Sequence, residues 1–415
     1  MVAKGRSGGF GGSGTPVGFG GFPGAGRGGF GRAGRVAGAV AGAAGLAALA
    51  YGGYFVLGQR RICPHLPLPV TGAATKILRR GEPVRALTYN IGYCSYAADF
   101  SFFMDGGSGS RAPSRAAVMQ NLAEITAQLR ASAADLLLLQ EVDSLATRSY
   151  RVPQVAHLTG EFPDFAAIFG LNYRSPYMLY PLREPYGANR SGLLSLSRFV
   201  VSGADRRSLP IESGLRRLID LDRAFTVQYL PVAGAGAGAG RGAGAGRGAG
   251  AGRGAGAYAD RGAGAGAGAS AEPCLAVFNL HLSAYTRDDR VVSAQFEQLF
   301  SAMQSERQRG NWVLVGGDFN HELLDSRTAG AHTWNRPFPV ERIPPGFSLV
   351  TKGLKEGGIP SSRKLDAPYR PGVTETALID GFIVSDNIAA EAVRVCDYGF
   401  AWADHQPVIL DLTLL

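Results

Sequence analysis

Glycine is concentrated in two stretches of this chain, and this distribution limits which residues can form a globular domain. The chain has 60 glycines among 415 residues, and residues 1–58 and 233–269 are little more than Gly, Ala and Arg. Such stretches have too few large apolar side chains to offset the conformational entropy lost on ordering. We therefore expect a disordered Gly/Arg-rich tail at residues 1–35 and a low-complexity insertion at residues 233–269. Residues 84–415, apart from that insertion, suffice for one sizeable core.

The positive charge of the chain lies mainly in the same glycine-rich stretches. The formal net charge is +9, of which residues 1–35 contribute five charges and residues 233–269 contribute three. The rest of the chain is therefore close to neutral. A domain that binds DNA is expected to carry its own basic face, so the high isoelectric point is poor evidence for a nuclease.

Residues 36–58 are 23 residues without a charge, long enough to span a bilayer as a helix. Alanine and glycine fill 14 of these positions, and basic residues stand on both sides of the stretch. Three interpretations remain open: a single membrane anchor, a signal peptide cleaved near residues 48–50, and a continuation of the Gly/Ala-rich tail. We expect a transmembrane helix at 36–58, and hence a single-pass membrane protein with its globular part outside the cytoplasm. The flanking basic residues themselves fix no orientation.

From residue 84 onward, apolar runs typical of strands alternate with helix-like periodicity. Apolar residues spaced four, three and four apart predict two helices: Val118, Leu122, Ile125 and Leu129 after the N-cap candidate Ser114, and Val292, Phe296, Leu299 and Met303. Strands are predicted at residues 84–91, 135–142, 191–197, 225–232, 275–282, 312–315, 381–384 and 408–414. Many strands with few helices between them indicate two packed sheets with helices outside.

The insertion at residues 233–269 falls between two of these predicted strands. It therefore interrupts a connection and not the core, and the entropy of closing a loop grows only slowly with its length. We interpret the tract as a tolerated low-complexity expansion. The alternative is a flap that binds polyanions through its arginines.

Five apolar runs end in side chains that can bind a metal or a phosphate. These runs are residues 88–91 (TYNI), 139–142 (LQEV), 279–282 (NLHL), 316–320 (GGDFN) and 404–407 (DHQP). One such residue alone is more often a core residue satisfied by a hydrogen bond. Five strand ends that carry Asn, Glu, His and Asp are harder to explain in that way, because such groups are costly to bury without a shared purpose.

These five segments, in this order and at roughly this spacing, resemble the signature of the endonuclease/exonuclease/phosphatase superfamily. The resemblance covers about 330 of the 415 residues, with the Ala/Gly tract as an insertion. It implies a four-layered α/β sandwich of two packed mixed sheets with helices outside. Residues 140–143 (QEVD), followed by Arg148 and Gln154, are most similar to metal-dependent hydrolases with sphingomyelinase-like relatives.

The resemblance implies a divalent cation, Mg²⁺ or Mn²⁺, which as a hard ion prefers oxygen ligands. Glu141 resembles the principal metal ligand of the family. Asn90 is expected to stand beside Glu141, and Asp404 is expected on the other side of the ion.

The resemblance also implies catalytic roles. Asp318 and Asn320 resemble the pair that orients and deprotonates the attacking water and holds the phosphate. His405 resembles the histidine that contacts the phosphate oxygens and stabilises charge there. Asp380 is placed like the carboxylate that pairs with this histidine and fixes its tautomer. His281 matches the second histidine of the nuclease and sphingomyelinase branches, a candidate general acid for the leaving group.

Two further features bear on the substrate. Arg223 stands where relatives often have an arginine that contacts the substrate phosphate, although a surface ion pair with Asp220 or Asp222 explains it equally well. Residues 101–107 (SFFMDGG) follow the first strand beside the predicted site. Their apolar content would suit a lipid, and the alternative is an ordinary packed loop.

We therefore expect a Mg²⁺-dependent phosphoesterase tethered to a membrane, acting on a phospholipid or a small phosphodiester. A membrane-tethered nuclease is the alternative, with nucleic acid as the less favoured partner. The third interpretation is a catalytically silent binding module on the same fold. Loss of the Glu or of the GDFN motif would indicate such a module, and the sequence retains both.

Overall fold

The structure is a computed structural model that describes residues 32–58, 62–213, 222–234, 272–284, 286, 288–324 and 335–415. The predictions for residues 1–31 and for most of the insertion, residues 235–269, lie outside the described residues. The chain divides after Gly53 into two compact units.

The described residues form helices and strands in the following order along the chain. The helices are α1 (Arg32–Gly58), α2 (Arg115–Ala131), α3 (Gln154–Glu161), α4 (Asp289–Gln308) and α5 (Leu354–Gly357). The strands are β1 (His65–Pro67), β2 (Thr71–Gly72), β3 (Leu78–Arg79), β4 (Pro83–Asn90), β5 (Leu136–Ala146), β6 (Ala166–Arg174), β7 (Asn189–Ser197), β8 (Gly203–Ser208), β9 (Ala224–Ala233), β10 (Cys274–His281), β11 (Trp312–Asp318), β12 (His321–Glu322), β13 (Arg336–Pro337), β14 (Phe347–Leu349), β15 (Ser362–Arg363), β16 (Thr376–Ala377), β17 (Asp380–Ser385), β18 (Ile388–Val395) and β19 (Val408–Leu414).

Most of these strands form two large mixed sheets. The first sheet has the order β1-β8-β9-β10-β11-β17-β14, with β3 added beside β9, and the second has the order β18-β19-β4-β5-β7-β6-β2. The pairs β10–β11 and β4–β5 are parallel, and most of the other pairs are antiparallel. Parallel neighbours deliver their carboxyl ends to the same edge of a sheet, so each sheet has one edge at which two such ends meet.

Three apolar cores separate four layers of structure. Between the two sheets lie residues such as Leu138 of β5 and Leu314 of β11. The outer face of the second sheet packs against α2 and α3, as Leu137 against Leu122 illustrates. The outer face of the first sheet packs against α4 through Phe296 and its neighbours. The fold is therefore the predicted four-layered α/β sandwich of two mixed sheets with helices outside.

The two predicted helices of the domain are confirmed, with caps that explain where they begin. Ser114 precedes α2, and its Oγ accepts a hydrogen bond of 3.1 Å from the backbone N–H of Ala117. Asp288 precedes α4 and accepts in the same way from the backbone N–H of Arg290 at 2.9 Å. Such caps satisfy backbone donors that the first turn of a helix leaves unpaired.

The N-terminal apolar stretch forms the helix α1, which begins at Arg32, four residues before the predicted start. Its segment Gly34–Gly58 is 25 residues long and apolar. By length and composition it can cross a membrane. Residues 32–35, predicted to belong to the tail, are therefore part of the helix.

The predicted insertion connects two neighbouring strands. β9 ends at Ala233 and β10 begins at Cys274, and the two strands are antiparallel with Pro231 opposite Cys274. The two ends of the tract thus leave the sheet side by side.

Candidate active site

The polar residues predicted from the strand ends meet at one edge of the two sheets. In the second sheet, Asn90 at the end of β4 lies opposite Gln140 of β5. In the first sheet, Asp318 at the end of β11 lies between His281 of β10 and Asp380 of β17. The register of both sheets therefore brings these side chains to a common edge.

Glu141 reaches this edge because β5 carries a bulge there. The pairing of β5 with β7 shifts between Leu139 and Val142, and Glu141 has a φ of 56°. A positive φ is unfavourable for a residue with a Cβ and is found at sites where function requires it. The predicted strand ended at residue 142, but β5 continues to Ala146 beyond the bulge. A bulge turns one side chain away from the regular alternation, and here it turns Glu141.

Two glycines directly before Asp318 allow the neighbouring strands to approach β11 closely. A Cβ at Gly316 would lie 2.7 Å from both Leu138 Cδ1 and Phe382 Cε1. Gly317 has a φ of 156°, and a Cβ there would lie 2.2 Å from the carbonyl oxygen of Leu280. Glycine at position 316 thus lets β11 lie against Leu138 of the second sheet, and glycine at position 317 lets β11 pair closely with β10 just before Asp318.

Asp318 is the centre of the hydrogen-bond network. Its Oδ2 accepts from Asn90 Nδ2 at 3.0 Å, and its Oδ1 accepts from the backbone N–H of Asn320 at 2.8 Å. The Nε2 of His281 lies 3.5 Å from Asp318 Oδ2, and that of His405 lies 3.8 Å from it. Asn90, Asp318 and both histidines therefore form one cluster that spans the two sheets.

His405 is held by Asp380 on the side away from Asp318. His405 Nδ1 lies 2.8 Å from Asp380 Oδ2, which also accepts a hydrogen bond of 2.7 Å from Ser361 Oγ. The Nε2 of His405 is left to face Asn90 at 3.4 Å and Ser362 Oγ at 3.3 Å. A carboxylate on Nδ1 fixes the tautomer and orientation of the ring.

Glu141 and Asp404 complete the acidic edge. Glu141 Oε1 lies 3.8 Å from His281 Nε2. Asp404 is buried, and its Oδ1 has no hydrogen-bond partner among the described residues. A Cβ at Gly92 would lie 2.5 Å from that Oδ1, so only glycine leaves the oxygen accessible from this side.

Arg223 is buried beside this network and does not lie on the surface. Arg223 is 2 % exposed, and its Nε and Nη1 have no hydrogen-bond partner within the described part of the chain. The next residue, Ala224, lies opposite His281 in the sheet, and the charge of Arg223 lowers the pKa of His281. Asp220, one proposed ion-pair partner, is outside the described residues.

The electrostatics divide the two histidines into different charge states. Burial disfavours the charged form of His405, but the carboxylates of Asp380 and Asp318 outweigh burial and raise its pKa to about 10. Burial and the positive charges of Arg223 and His405 lower the pKa of His281 well below its ordinary value. At neutral pH His405 is therefore protonated and His281 is neutral.

The carboxylates at this edge are buried and repel one another, which raises their pKa values. Burial and the carboxylate of Asp404 raise the pKa of Glu141 to about 8. Burial, with the carboxylate of Asp380, raises the pKa of Asp318 to about 7, while burial raises that of Asp404. Acids that repel one another at one edge are the arrangement a divalent cation relieves.

Two sets of residues here fit a metal ion. The ligand atoms of Asp318, Asp380 and His405 lie within 4.8 Å of one another. However, Asp380 Oδ2 is already engaged by His405 and Ser361. Glu141 and Asp404 offer further oxygen atoms to a hard cation: Asp404 has a buried oxygen without a partner among the described residues, and burial and the carboxylate of Asp404 raise the pKa of Glu141.

A buried arginine supports the loop that follows Asn90. Arg148 pairs with Asp143 at 2.8 Å, and its guanidinium carbon lies 3.2 Å from the centre of the Tyr93 ring. Gln154 donates to the carbonyl oxygen of Tyr93. The residues that marked the family resemblance after Glu141 therefore hold the wall of the site and do not reach its centre.

The sequence did not reveal Ser361 and Ser362, whose hydroxyls contact Asp380 and His405. Both are buried, and Ser362 lies on the two-residue strand β15. So short an element has no periodicity that a sequence can show. A pair of serines before a buried arginine, Arg363, is the one local signal.

A four-layered α/β sandwich with carboxylates and histidines gathered at the edge of both sheets defines a class of proteins built for phosphoester chemistry. The sequence model of the Endonuclease/Exonuclease/phosphatase family matches residues 87–405, and the chain belongs to this family. Membership supports hydrolysis of phosphoesters in general. No protein with a curated description matches the chain.

The chain is similar to several solved structures at low identity. An endonuclease/exonuclease/phosphatase from Beutenbergia cavernae DSM 12333 is 15 % identical, with 81 % of this chain and 72 % of that chain covered at a TM-score of 0.51. The human Nocturnin catalytic domain with bound sulfate anion is 15 % identical, covering 84 % of this chain and 97 % of that one, with a TM-score of 0.45. Humanised D. rerio TDP2 is 10 % identical over 80 % and 99 % of the two chains, with a TM-score of 0.46.

Proposed function

We propose that this protein is a divalent-metal-dependent phosphoesterase, tethered to a membrane by α1, that hydrolyses a phospholipid or a small phosphodiester. The proposal rests on one observation. Glu141, Asp318 and Asp404 lie at one buried edge with two histidines, of which one is charged and the other is neutral. Such an edge combines a cation site, a base and a stabiliser of negative charge, which are the parts that phosphoester hydrolysis needs.

Glu141 and Asp404 would hold Mg²⁺ or Mn²⁺, with the amide oxygen of Asn90 nearby. The Asn90 Oδ1 accepts from the backbone N–H of Gly92 at 3.1 Å, which fixes the orientation of the amide. A bound divalent cation neutralises charge on the phosphate oxygens and positions the phosphate.

Asp318 is proposed to accept the proton of the attacking water. The pKa of about 7 suits a group that must be ionised at neutral pH and still bind a proton. Asn320 orients it: its backbone N–H donates to Asp318 Oδ1, while its side-chain amide donates to the carbonyl oxygen of Leu282 at 2.9 Å. The φ of 50° at Asn320 allows both bonds.

His405 and Arg223 are proposed to bind the phosphate. His405 is charged, and its Nε2 faces the centre of the site while Asp380 occupies Nδ1. Arg223 is buried with unpaired donors that an anionic oxygen would satisfy. His281 is neutral without substrate. Because a bound phosphate would favour its charged form, His281 can take up a proton and then donate it to the leaving group.

The substrate proposal depends on the surroundings of the site. Apart from the two glycine-rich stretches the chain is close to neutral, whereas binding to nucleic acid depends on basic residues that neutralise phosphates. The loop after β4 contributes Phe102 and Phe103, which pack against each other and against Tyr186. Phe102 and Tyr186 are buried, whereas the half-buried Phe103 leaves an apolar surface on this loop that would suit an apolar leaving group.

An activity screen tests the proposal. The full chain in detergent would be given bis-p-nitrophenyl phosphate, sphingomyelin, phosphatidylcholine and supercoiled DNA, each with Mg²⁺ or Mn²⁺. We expect hydrolysis of the small diester and of a phospholipid, and its loss in the Asp318→Asn variant. Cleavage of DNA alone would replace the substrate proposal with the nuclease, and no hydrolysis of any substrate would overturn the enzymatic one.

A further inference from the structure

The connection between β6 and β7 carries an unusual run of exposed apolar side chains. Leu182 is 82 % exposed and Tyr180 is 70 % exposed, and they are joined by Tyr177, Leu179 and, from the loop after β4, Met104. We call these five residues the apolar rim. Exposed apolar residues are usually scattered singly, and a contiguous group of them marks a surface that binds something.

The apolar rim lies at the same edge as the candidate active site. β6 and β7 are antiparallel with Arg174 opposite Arg190, and Ala146 at the end of β5 lies opposite Asn189. The connection therefore leaves the second sheet at the end toward which β5 runs after Glu141. The ring of Tyr180 lies 5.8 Å from that of Phe103, so the rim is continuous with the loop after β4, which follows the site residue Asn90.

The last turn of α1 contacts the same connection. The backbone N–H of Tyr177 donates to Tyr54 Oη at 3.0 Å, and a Cβ at Gly58 would lie 3.0 Å from Pro176 Cβ. Tyr54 and Gly58 both belong to the apolar segment that is long enough to cross a membrane. Tyrosine is enriched where helices leave the hydrocarbon core, so the end of such a helix would hold the rim at the membrane surface.

Charge and chemistry favour a bilayer as the occupant. Arg174, Arg183 and Arg190 are exposed within or beside the connection, against the exposed acid Glu184, and basic residues of this kind are attracted to an anionic membrane surface. Leucine and methionine have no planar face on which a base could stack, and tyrosine has an apolar ring with a polar end that suits the interface.

We propose that the apolar rim inserts into the headgroup region of the bilayer and thereby presents the active-site edge to phosphodiesters in the membrane surface. This inference rests on the membrane tether and the lipid substrate of the proposed function. It adds that the substrate is taken from the membrane plane, and it assigns the residues that contact the lipid.

Trp fluorescence in proteoliposomes tests this placement. The full chain with Leu182→Trp would be reconstituted in phosphatidylcholine and phosphatidylserine vesicles, with and without brominated lipid, and the signal of the native tryptophans subtracted. The control is Ile77→Trp: Ile77 is 44 % exposed, and the neighbouring Lys76 pairs with Asp135 at the start of β5, the opposite end of the sheet. We expect blue-shifted emission and bromide quenching for the Leu182→Trp variant and neither for the control.

A second variant keeps the proposal testable through activity. Tyr180→Ser combined with Leu182→Ser should lower turnover of vesicle-borne phospholipid by about tenfold or more, because the variant removes two apolar side chains that the bilayer would bury. Turnover of soluble bis-p-nitrophenyl phosphate should not change. Equal quenching of both Trp variants, or equal loss on both substrates, would overturn the proposal. Quenching without any hydrolysis would instead overturn the proposed activity and leave the docking surface standing.

Discussion

Gln140 Nε2 donates a hydrogen bond of 2.8 Å to Asn279 Oδ1, and this bond joins the second sheet to the first. Both residues are fully buried. Asn279 in turn donates to the carbonyl oxygens of Leu139 and Leu194 at 3.2 and 3.3 Å. Gln140 stands one residue before Glu141, and Asn279 stands two residues before His281. The bond between them therefore fixes how the strands that carry the site lie relative to each other across the two sheets.

We predict that this pair is coupled in stability. Asn279→Leu removes one of the hydrogen bonds of Gln140 and the bonds to two carbonyl oxygens, and each buried hydrogen bond contributes about 1 kcal/mol. The free energy of unfolding, measured by urea titration, should therefore fall by about 3 kcal/mol. The double variant Gln140→Leu/Asn279→Leu should lose less than the sum of the single losses. Gln120→Leu, on the exposed face of α2, is the control, and additive losses would contradict the coupling.

The sequence allowed the strands of the sheet centres to be predicted, because they are continuous apolar runs. β4, β5, β10 and β11 are buried on both faces, and each ends in the polar residues that mark the site. Strands of this kind read as apolar runs in any context. Parallel pairing brings the carboxyl ends of β4 and β5 together in one sheet and those of β10 and β11 together in the other, which is why the same runs predicted both the strands and the candidate site residues.

The strands that the sequence did not indicate lack this signal for physical reasons. β18 contains Ala389, Ala390 and Glu391, which have low strand propensity, and it lies at the edge of its sheet. β8 is polar, with Asp205 paired to Arg207. In β6, Gly170 interrupts the run, because a Cβ there would lie 2.3 Å from Thr226 Cγ2 of the other sheet. Each of these strands is specified by its neighbours and not by its own composition.

A second prediction concerns the glycine-rich tract. Replacement of residues 235–271 by about four Gly/Ser residues should leave folding and turnover intact, because the tract connects adjacent antiparallel strands. Each halving of a loop removes about 0.6 kcal/mol of closure entropy, so the free energy of unfolding should rise by up to about 2 kcal/mol. Thermal unfolding and hydrolysis of the small diester measure both effects. An inactive or molten product would show that the tract contributes to the core.

A third prediction concerns the metal. Activity should disappear in excess EDTA and return with Mg²⁺ or Mn²⁺, because Glu141 and Asp404 are acids that repel each other without a cation. Glu141→Gln should weaken Mn²⁺ binding, measured by titration calorimetry, by on the order of tenfold or more. Glu161→Gln, at the end of α3, should bind as the unchanged protein does. Full activity in chelator, or unchanged Mn²⁺ affinity in Glu141→Gln, would contradict the assignment.

The last prediction concerns His405 and Asp380, whose side chains meet at 2.8 Å. His405→Ala should lower kcat by on the order of 10²-fold or more, the loss seen when one donor to a developing charge is removed. Asp380→Asn should cost less, because the imidazole remains but loses the carboxylate that raises its pKa. In Asp380→Asn the pKa of His405 falls, so activity should decline at a lower pH than in the unchanged protein as the charged ring loses its proton.

The two losses should not add in the double variant, because both substitutions act on one unit. Any hydrolysable phosphodiester serves for these measurements. Additive losses, or an unchanged pH profile in Asp380→Asn, would mean that Asp380 only supports the fold and that His405 works alone.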